Sequence, residues 1–459
     1  MRRAVVTTVL TGGICLVGGA VPASAAPGDP LWVDRYAGPA PGPDAEDYAR
    51  DVAVGTDGTR YVTGTVASPG SDNDFRTVAY GPTGAVLWSA RYDGPAHDFD
   101  AAEAIAVDSS RDTVYVTGTS FSATDGDYAT VAYDANDGTR RWAKRYAGPG
   151  GAADSATDIA VDSSSGNVSV TGSSAGASGT SDYATIAYSP AGAPQWRVRY
   201  SVPGSFADRG RAVAVGSDGT TYVTGSSRNL DTGIESSTTQ AYSSTGAVLW
   251  TDRAVGPGNV STTGEDIAVD DARDAVYVTG SRSSGDFFDY RTRAFDTNGV
   301  ARWAASYDGT AGLTDEAAGL AVNPATGAVS VTGFSQGTAS FEYATVNYAP
   351  NGTQRWVARY DGDENGDFAA AVAVDAVTGA VYVTGTSASS AGRSQAATVA
   401  YSGATGAQQW ARRFGTNAGS VTPNAVAVDP GTGNVYVVGS VLNAAGSGPD
   451  YAAIAYAGR

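Results

Sequence analysis

The sequence predicts an all-β chain folded as an eight-bladed β-propeller of four-stranded antiparallel blades, and three observations carry that expectation. First, its only eight tryptophans, Trp32, Trp88, Trp142, Trp196, Trp250, Trp303, Trp356 and Trp410, stand 53 to 56 residues apart. A fixed period of that length, with the same aromatic anchor each time, marks one supersecondary unit repeated along the chain. Second, each repeat holds four short runs rich in Val, Ile, Tyr and Thr, bounded by Gly, Asp, Ser or Pro, the pattern of strands rather than helices. Third, the chain begins on a Trp-bearing run, from Leu31, and ends on the type of run that elsewhere precedes the Trp, Tyr451 to Tyr456. The N-terminal strand is therefore expected to complete the last blade and close the ring, leaving no long sheet edge.

Each element has its own signature. The first strand of a repeat reads like Asp158-Ile-Ala-Val-Asp162 and ends in a tight turn. The second carries Tyr-Val-Thr-Gly, as at Tyr61 to Gly64 and Tyr115 to Gly118; Ser169 and Ser330 replace its Tyr twice, and Val438 its Thr once. The third ends in an aromatic every time, from Tyr80 to Tyr456, and the fourth carries the Trp. An Arg stands three residues after Trp in seven repeats, with Ser306 the exception. Strand alternation puts it on the opposite face, where a paired outer-strand Arg is expected.

The run from the third strand to the Trp, as in Ala132 to Trp142 and Ala400 to Trp410, resembles the tryptophan-docking motif of pyrroloquinoline-quinone-type eight-bladed propellers. The succession of Ile-Ala-Val-Asp, turn and Val-Tyr-Val-Thr-Gly is similar to the bacterial beta-propeller repeat family named for seven blades (SBBP). Both resemblances speak to fold, because each group spans enzymes and scaffolds. The quinone cofactor is not expected, since such enzymes set vicinal cysteines against it and the only cysteine is Cys15.

Cys15 lies in a segment, residues 1–25, that reads as a secretory signal peptide: Arg2 and Arg3, an apolar stretch, then Ala23-Ser24-Ala25. Residues 26–459 are expected to form a single propeller domain, secreted, extracellular and monomeric. The abundance of Arg over Lys fits a GC-rich bacterial source. Past the signal no 18-residue apolar run remains, so no membrane insertion is expected. Without Arg2 and Arg3 the chain holds 27 basic and 47 acidic residues. That excess of carboxylates repels nucleic acid.

In a four-stranded meander the connections after strands two and four share one end of the blade. Here they are long, variable and acidic, which makes that face the functional candidate. Within it Asp361, Asp363, Asn365 and Asp367 resemble the start of a calcium loop, although Ala369 and Val372 hold the positions of its later ligands. The alternative is an Asx-stabilised turn. A second candidate is a ring of carboxylates at the channel mouth: Asp47, Asp100, Asp154, Asp208, Asp315 and Asp367 stand at equivalent places, with Thr262 and Val421 breaking the series. The alternative for each is acceptance of backbone N–H bonds in its own loop. His97, the single histidine, reads as a solvated loop residue, and no catalytic residue is assigned. The leading reading is a secreted, non-enzymatic propeller that binds a protein or glycan through the acidic face, with calcium as its candidate cofactor. The other is a carbohydrate-active hydrolase or lyase using two loop carboxylates.

Overall fold

The computed structural model describes residues 25–459 except 37, 39–46, 70–71, 123, 178, 257, 363–365, 390–392, 416–418 and 443–447. Residues 1–24, nearly all of the expected signal peptide, lie outside the described residues, as do Asp363 and Asn365 of the calcium-loop candidate. The chain forms eight four-stranded antiparallel units, here blades 1 to 8, the first starting at Tyr48–Val54 and the eighth at Val421–Val428. Blades 3 and 4 share an edge through one parallel pairing, Ser181 with Ala207. The N-terminal strand Pro30–Tyr36 pairs antiparallel with the C-terminal strand Pro449–Tyr456 and is the outer strand of blade 8. Blades 8 and 1 also touch directly. Asn424 donates to the Ala49 carbonyl at 2.7 Å, and buried Arg60 lies 3.6 Å from Asp429.

The repeated letters have repeated jobs. In blade 2, Thr117 of the second strand pairs with Thr130 of the third, hydroxyl to hydroxyl at 3.2 Å and fully buried. Six other blades repeat the pair. In blade 8, Val438 replaces the Thr and its register partner is Ala453, so neither polar group is left unsatisfied. The second-strand Gly faces a first-strand carbonyl so closely that a Cβ on Gly118 would lie 2.0 Å from the Ala101 oxygen.

Each Trp docks on the following blade. Trp88 of blade 1 lies between Tyr61 of its own sheet and Tyr133 of blade 2, with ring centroids 5.8 and 6.3 Å away. Its indole N–H donates to the Ala135 carbonyl at 2.8 Å. Beneath the indole is Gly138, at φ 74°, where a Cβ would lie 2.6 Å from the ring. The same dock occurs eight times, on Gly28, Gly84, Gly138, Gly192, Gly246, Gly299, Gly352 and Gly406, all at positive φ. Only glycine adopts that conformation freely and allows that approach. The dock of Trp32 on Gly84 joins blade 8 to blade 1. Trp88→Ala is expected to cost about 3–5 kcal/mol. Gly138→Ala is expected to cost about 1–2 kcal/mol from its left-handed backbone alone, with the ring contact adding to it. Urea unfolding followed by tryptophan fluorescence and far-UV circular dichroism checks both.

Candidate functional site

The carboxylates singled out in the sequence are engaged in the loops between blades. Asp100, at the start of an inner strand, is fully buried and accepts the Gly94 N–H at 2.5 Å. Asp154 accepts from Gly148 and, at 2.8 Å, from Ala175. Asp47 accepts from Gly38 and, at 2.9 Å, from Ala67. Asp208, Asp315 and Asp367 accept the N–H of Val202, Gly309 and Gly362 respectively. Burial pushes the Asp47 carboxyl up to about 6, against the bonds it accepts, and raises Asp100, Asp208, Asp315 and Asp367 as well. At Thr262, which breaks the series, the hydroxyl accepts the Ser237 N–H at 2.9 Å.

In four blades the Arg that follows the Trp pairs with a third-strand carboxylate. In blade 2, Arg145 reaches Asp127 at 2.7 Å and the Ser120 hydroxyl at 2.9 Å, and Ser120 lies opposite Asp100 in register. Arg91 with Asp74, Arg199 with Asp182 and Arg359 with Glu342 repeat the arrangement at 2.5 to 2.8 Å. Four carboxylates are thereby paired within single blades. Two carboxylate triads stand out, each with oxygens within 4.8 Å of one another: Asp74, Asp93 and Asp100, and Asp289, Asp308 and Asp315. Arg91 is paired to two carboxylates of the first. In the second, Ser306 occupies the place of that Arg. His97 is exposed, with Nδ1 2.9 Å from Asp93.

The sequence reading passed over the inner strands. Each first strand except that of blade 5 carries a register shift against its second strand, at Arg50, Glu103, Thr157, Arg211, Ala318, Ala370 and Asn424. A bulge of this kind re-aims the extra side chain. Here it reaches the next blade: Arg50 toward Glu103 at 3.9 Å, Thr157 to the Gly210 carbonyl at 2.9 Å, Arg211 to Glu265 at 3.0 Å. The residue after the shift is Asp in blades 1 and 3, and Asp266 holds the same register in blade 5. Asp51, Asp158 and Asp266 each accept their following residue's N–H and one from the next blade, at Ile105, Val213 and Leu320. All three keep some surface open, yet protein surrounds them. Burial pushes Asp51 and Asp266 up to about 6 and Asp158 to about 8, with Asp266 and Asp51 both adding to the shift at Asp158. The clue in the sequence is an Asp at one inner-strand position in three repeats, against Ala or Gly in the other five.

A cavity of about 580 Å³ is lined by residues of blades 4 to 8. Glu265, Glu316, Glu235 and Arg211 supply its charges, and Phe288, Phe334 and Phe368 its apolar wall. Phe334, Phe341 and Phe368 pack together with centroids 5.1 to 5.4 Å apart. Burial raises the carboxyls of Glu265 and Glu316, and Glu235 and Glu316 add to the shift at Glu265.

Residues 409–440 match the family model described as Beta-propeller repeat (SBBP). No curated protein matches the chain in sequence. Among solved structures it is similar to quinohemoprotein alcohol dehydrogenase from Comamonas testosteroni, at 14% identity and TM-score 0.53 over 91% of this chain and 75% of that one. It is also similar to Chaetomium thermophilum Sqt1, at 11% identity and TM-score 0.56 over 90% and 95%. A europium-containing methanol dehydrogenase matches at 12% identity and TM-score 0.50 over 94% and 93%. These likenesses establish the propeller architecture.

The inner-strand carboxyls have a pH consequence. Their folded-state pKa values lie above the usual 3.8, so between about pH 4 and 8 the native state binds more protons than the unfolded one. Their contribution therefore falls as pH rises through that window. Asp158→Asn is expected to flatten the decline, read as urea midpoints from pH 4 to 9.

Proposed function

We propose that the protein is a secreted, non-enzymatic propeller that binds a protein or glycan at the mouth of its inner strands. The observation that carries this reading is the cavity where Glu265, Glu316 and Glu235 meet Phe288, Phe334 and Phe368. Carboxylates already destabilised by burial gain most from an incoming cation, and the phenyl faces suit an apolar stem or a sugar ring. A protein segment presenting a basic side chain fits both features. One structural neighbour, Chaetomium thermophilum Sqt1, was solved bound to the N-terminus of the ribosomal protein L10, which illustrates protein binding on this architecture.

Calcium belongs to the reading as an accessory ion. Two places are its candidates: the loop with Asp361 and Asp367, and the triad Asp289, Asp308 and Asp315, where Ser306 leaves the carboxylates without their Arg. The second reading is carbohydrate hydrolysis or lysis. It is favoured by Glu265 and Glu316, two interacting carboxyls with raised pKa in one aromatic-lined cavity.

Peptide and glycan arrays probed with wild type and with Glu265→Gln/Glu316→Gln decide among these. The binder reading expects a ligand whose affinity falls about tenfold or more in the double variant and weakens with salt. Turnover of a polysaccharide, lost in the same variant, would replace it with the enzyme reading. For calcium, thermal unfolding in EDTA and then with added Ca²⁺ should give a rise that Asp308→Asn or Asp361→Asn removes. An unchanged midpoint removes the ion from the account.

A further inference from the structure

We propose that the protein has a second ligand site, a pocket between blades 4 and 5 that binds a small oxyanion, a phosphate or carboxylate group. This does not rest on the reading of the inner-strand mouth.

The pocket exists because one interior plug is missing. In five blades two aromatic rings, one from the third strand and one from the fourth, face each other in register: Phe75 with Tyr92, Tyr128 with Tyr146, Tyr183 with Tyr200, Tyr290 with Tyr307, and Tyr343 with Tyr360, at 5.3 to 5.8 Å. In blade 4 the same register positions hold Ser237 and Ala254. A cavity of about 280 Å³ remains, with Ser237 and Ala254 on one side.

Three arginines of blade 5 line the other side, Arg282 and Arg293 at positions that the other blades fill with uncharged residues and Arg291 at one where blade 1 also carries an arginine, Arg76. Arg293 stands in register where Val131, Ile186, Val346 and Val399 stand elsewhere. Arg291 occupies a position held by Ala129, Ala184, Ala344 and Ala397. Arg282 pairs with Thr262, where other blades pair Ser with the loop-holding Asp. The fourth-strand Arg of this blade is Ser306, so its positive charge has moved from the outer strand to the pocket.

These guanidiniums are poorly neutralised in a chain of net charge −18. Among the described residues only Asp252, which takes Arg293 through both its oxygens, is in ion-pair contact with any of the three. Arg291 donates to the Ser306 hydroxyl at 3.1 Å, and the buried Nε of Arg282 has no hydrogen-bond partner. Burial, then Arg293 and Arg282, pull the Arg291 pKa below the usual guanidinium range. An oxyanion would relieve that repulsion and accept from the forked N–H groups. Ser237 and Thr262 belong to the same lining, the Thr262 hydroxyl donating to the Ala254 carbonyl at 2.6 Å. The volume exceeds that of a bare phosphate, leaving room for a small organic body against Val278 and Ala254.

The test is thermal unfolding of the full chain at fixed pH and ionic strength, titrated with inorganic phosphate, with succinate, or with chloride as control. A saturable rise above chloride is expected with phosphate or succinate, and the arm that responds names the headgroup. Arg282→Gln/Arg291→Gln should lose the response. Ser237→Tyr/Ala254→Tyr, which restores the plug of the other blades, should lose it with the fold intact; if that variant does not fold, the Gln pair carries the comparison. No rise above chloride with either anion, or an equal rise in the Gln pair, overturns the proposal.

Discussion

The contact on which the architecture depends is the dock of each tryptophan on a left-handed glycine of the following blade. It combines a large apolar area, aromatic neighbours on one or both sides and, in six of eight cases, an indole hydrogen bond to a turn carbonyl. Because the donor is on one blade and the acceptor on the next, no blade can satisfy its own Trp. Trp410 docks on Gly28 and Trp32 on Gly84, so the N-terminal segment serves both as acceptor for blade 7 and as donor to blade 1. The spacing of tryptophans along the chain is thus the length of one blade.

A second repeated device holds the loops. The buried Asp at the start of the inner strand accepts loop N–H groups, the second-strand Ser lies opposite it, and the fourth-strand Arg joins that Ser to a third-strand carboxylate. Buried charge is tolerated because each carboxylate is hydrogen-bonded or paired. As a result, the acidic composition overstates the charge that the loop face presents. The groups that break the repeat are carboxylates on the inner strands and arginines between blades 4 and 5.

Repeat proteins separate scaffold from function in this way. Positions that recur around the ring answer to packing, and positions that occur once are free to answer to a ligand. Phe334 and Phe368, Glu316, and Arg282 and Arg293 belong to the second kind. These residues lie on blades 5 to 7 and line the two cavities there.

The sequence by itself determined the blade count, the four strands of each blade and the pairing of its first strand with its last, because strand periodicity and the Trp anchor are local signals repeated eight times. It also marked the Asp series and the Arg series, though not that Ser120 and Asp127 link them in a blade such as the second. Only the tertiary structure decided which carboxylates are occupied and which are exposed to a common space. Asp51, Asp158 and Asp266 are more than 100 residues apart in sequence, and the charges of Asp51 and Asp266 reach Asp158 only through the folded arrangement of the blades. The pocket beside Arg282 was likewise invisible, since Ser237 and Ala254 are unremarkable residues until the register sets them where most other blades place two rings. A cavity is an absence measured against neighbours, and neighbours across a blade interface are fixed by packing rather than by order along the chain.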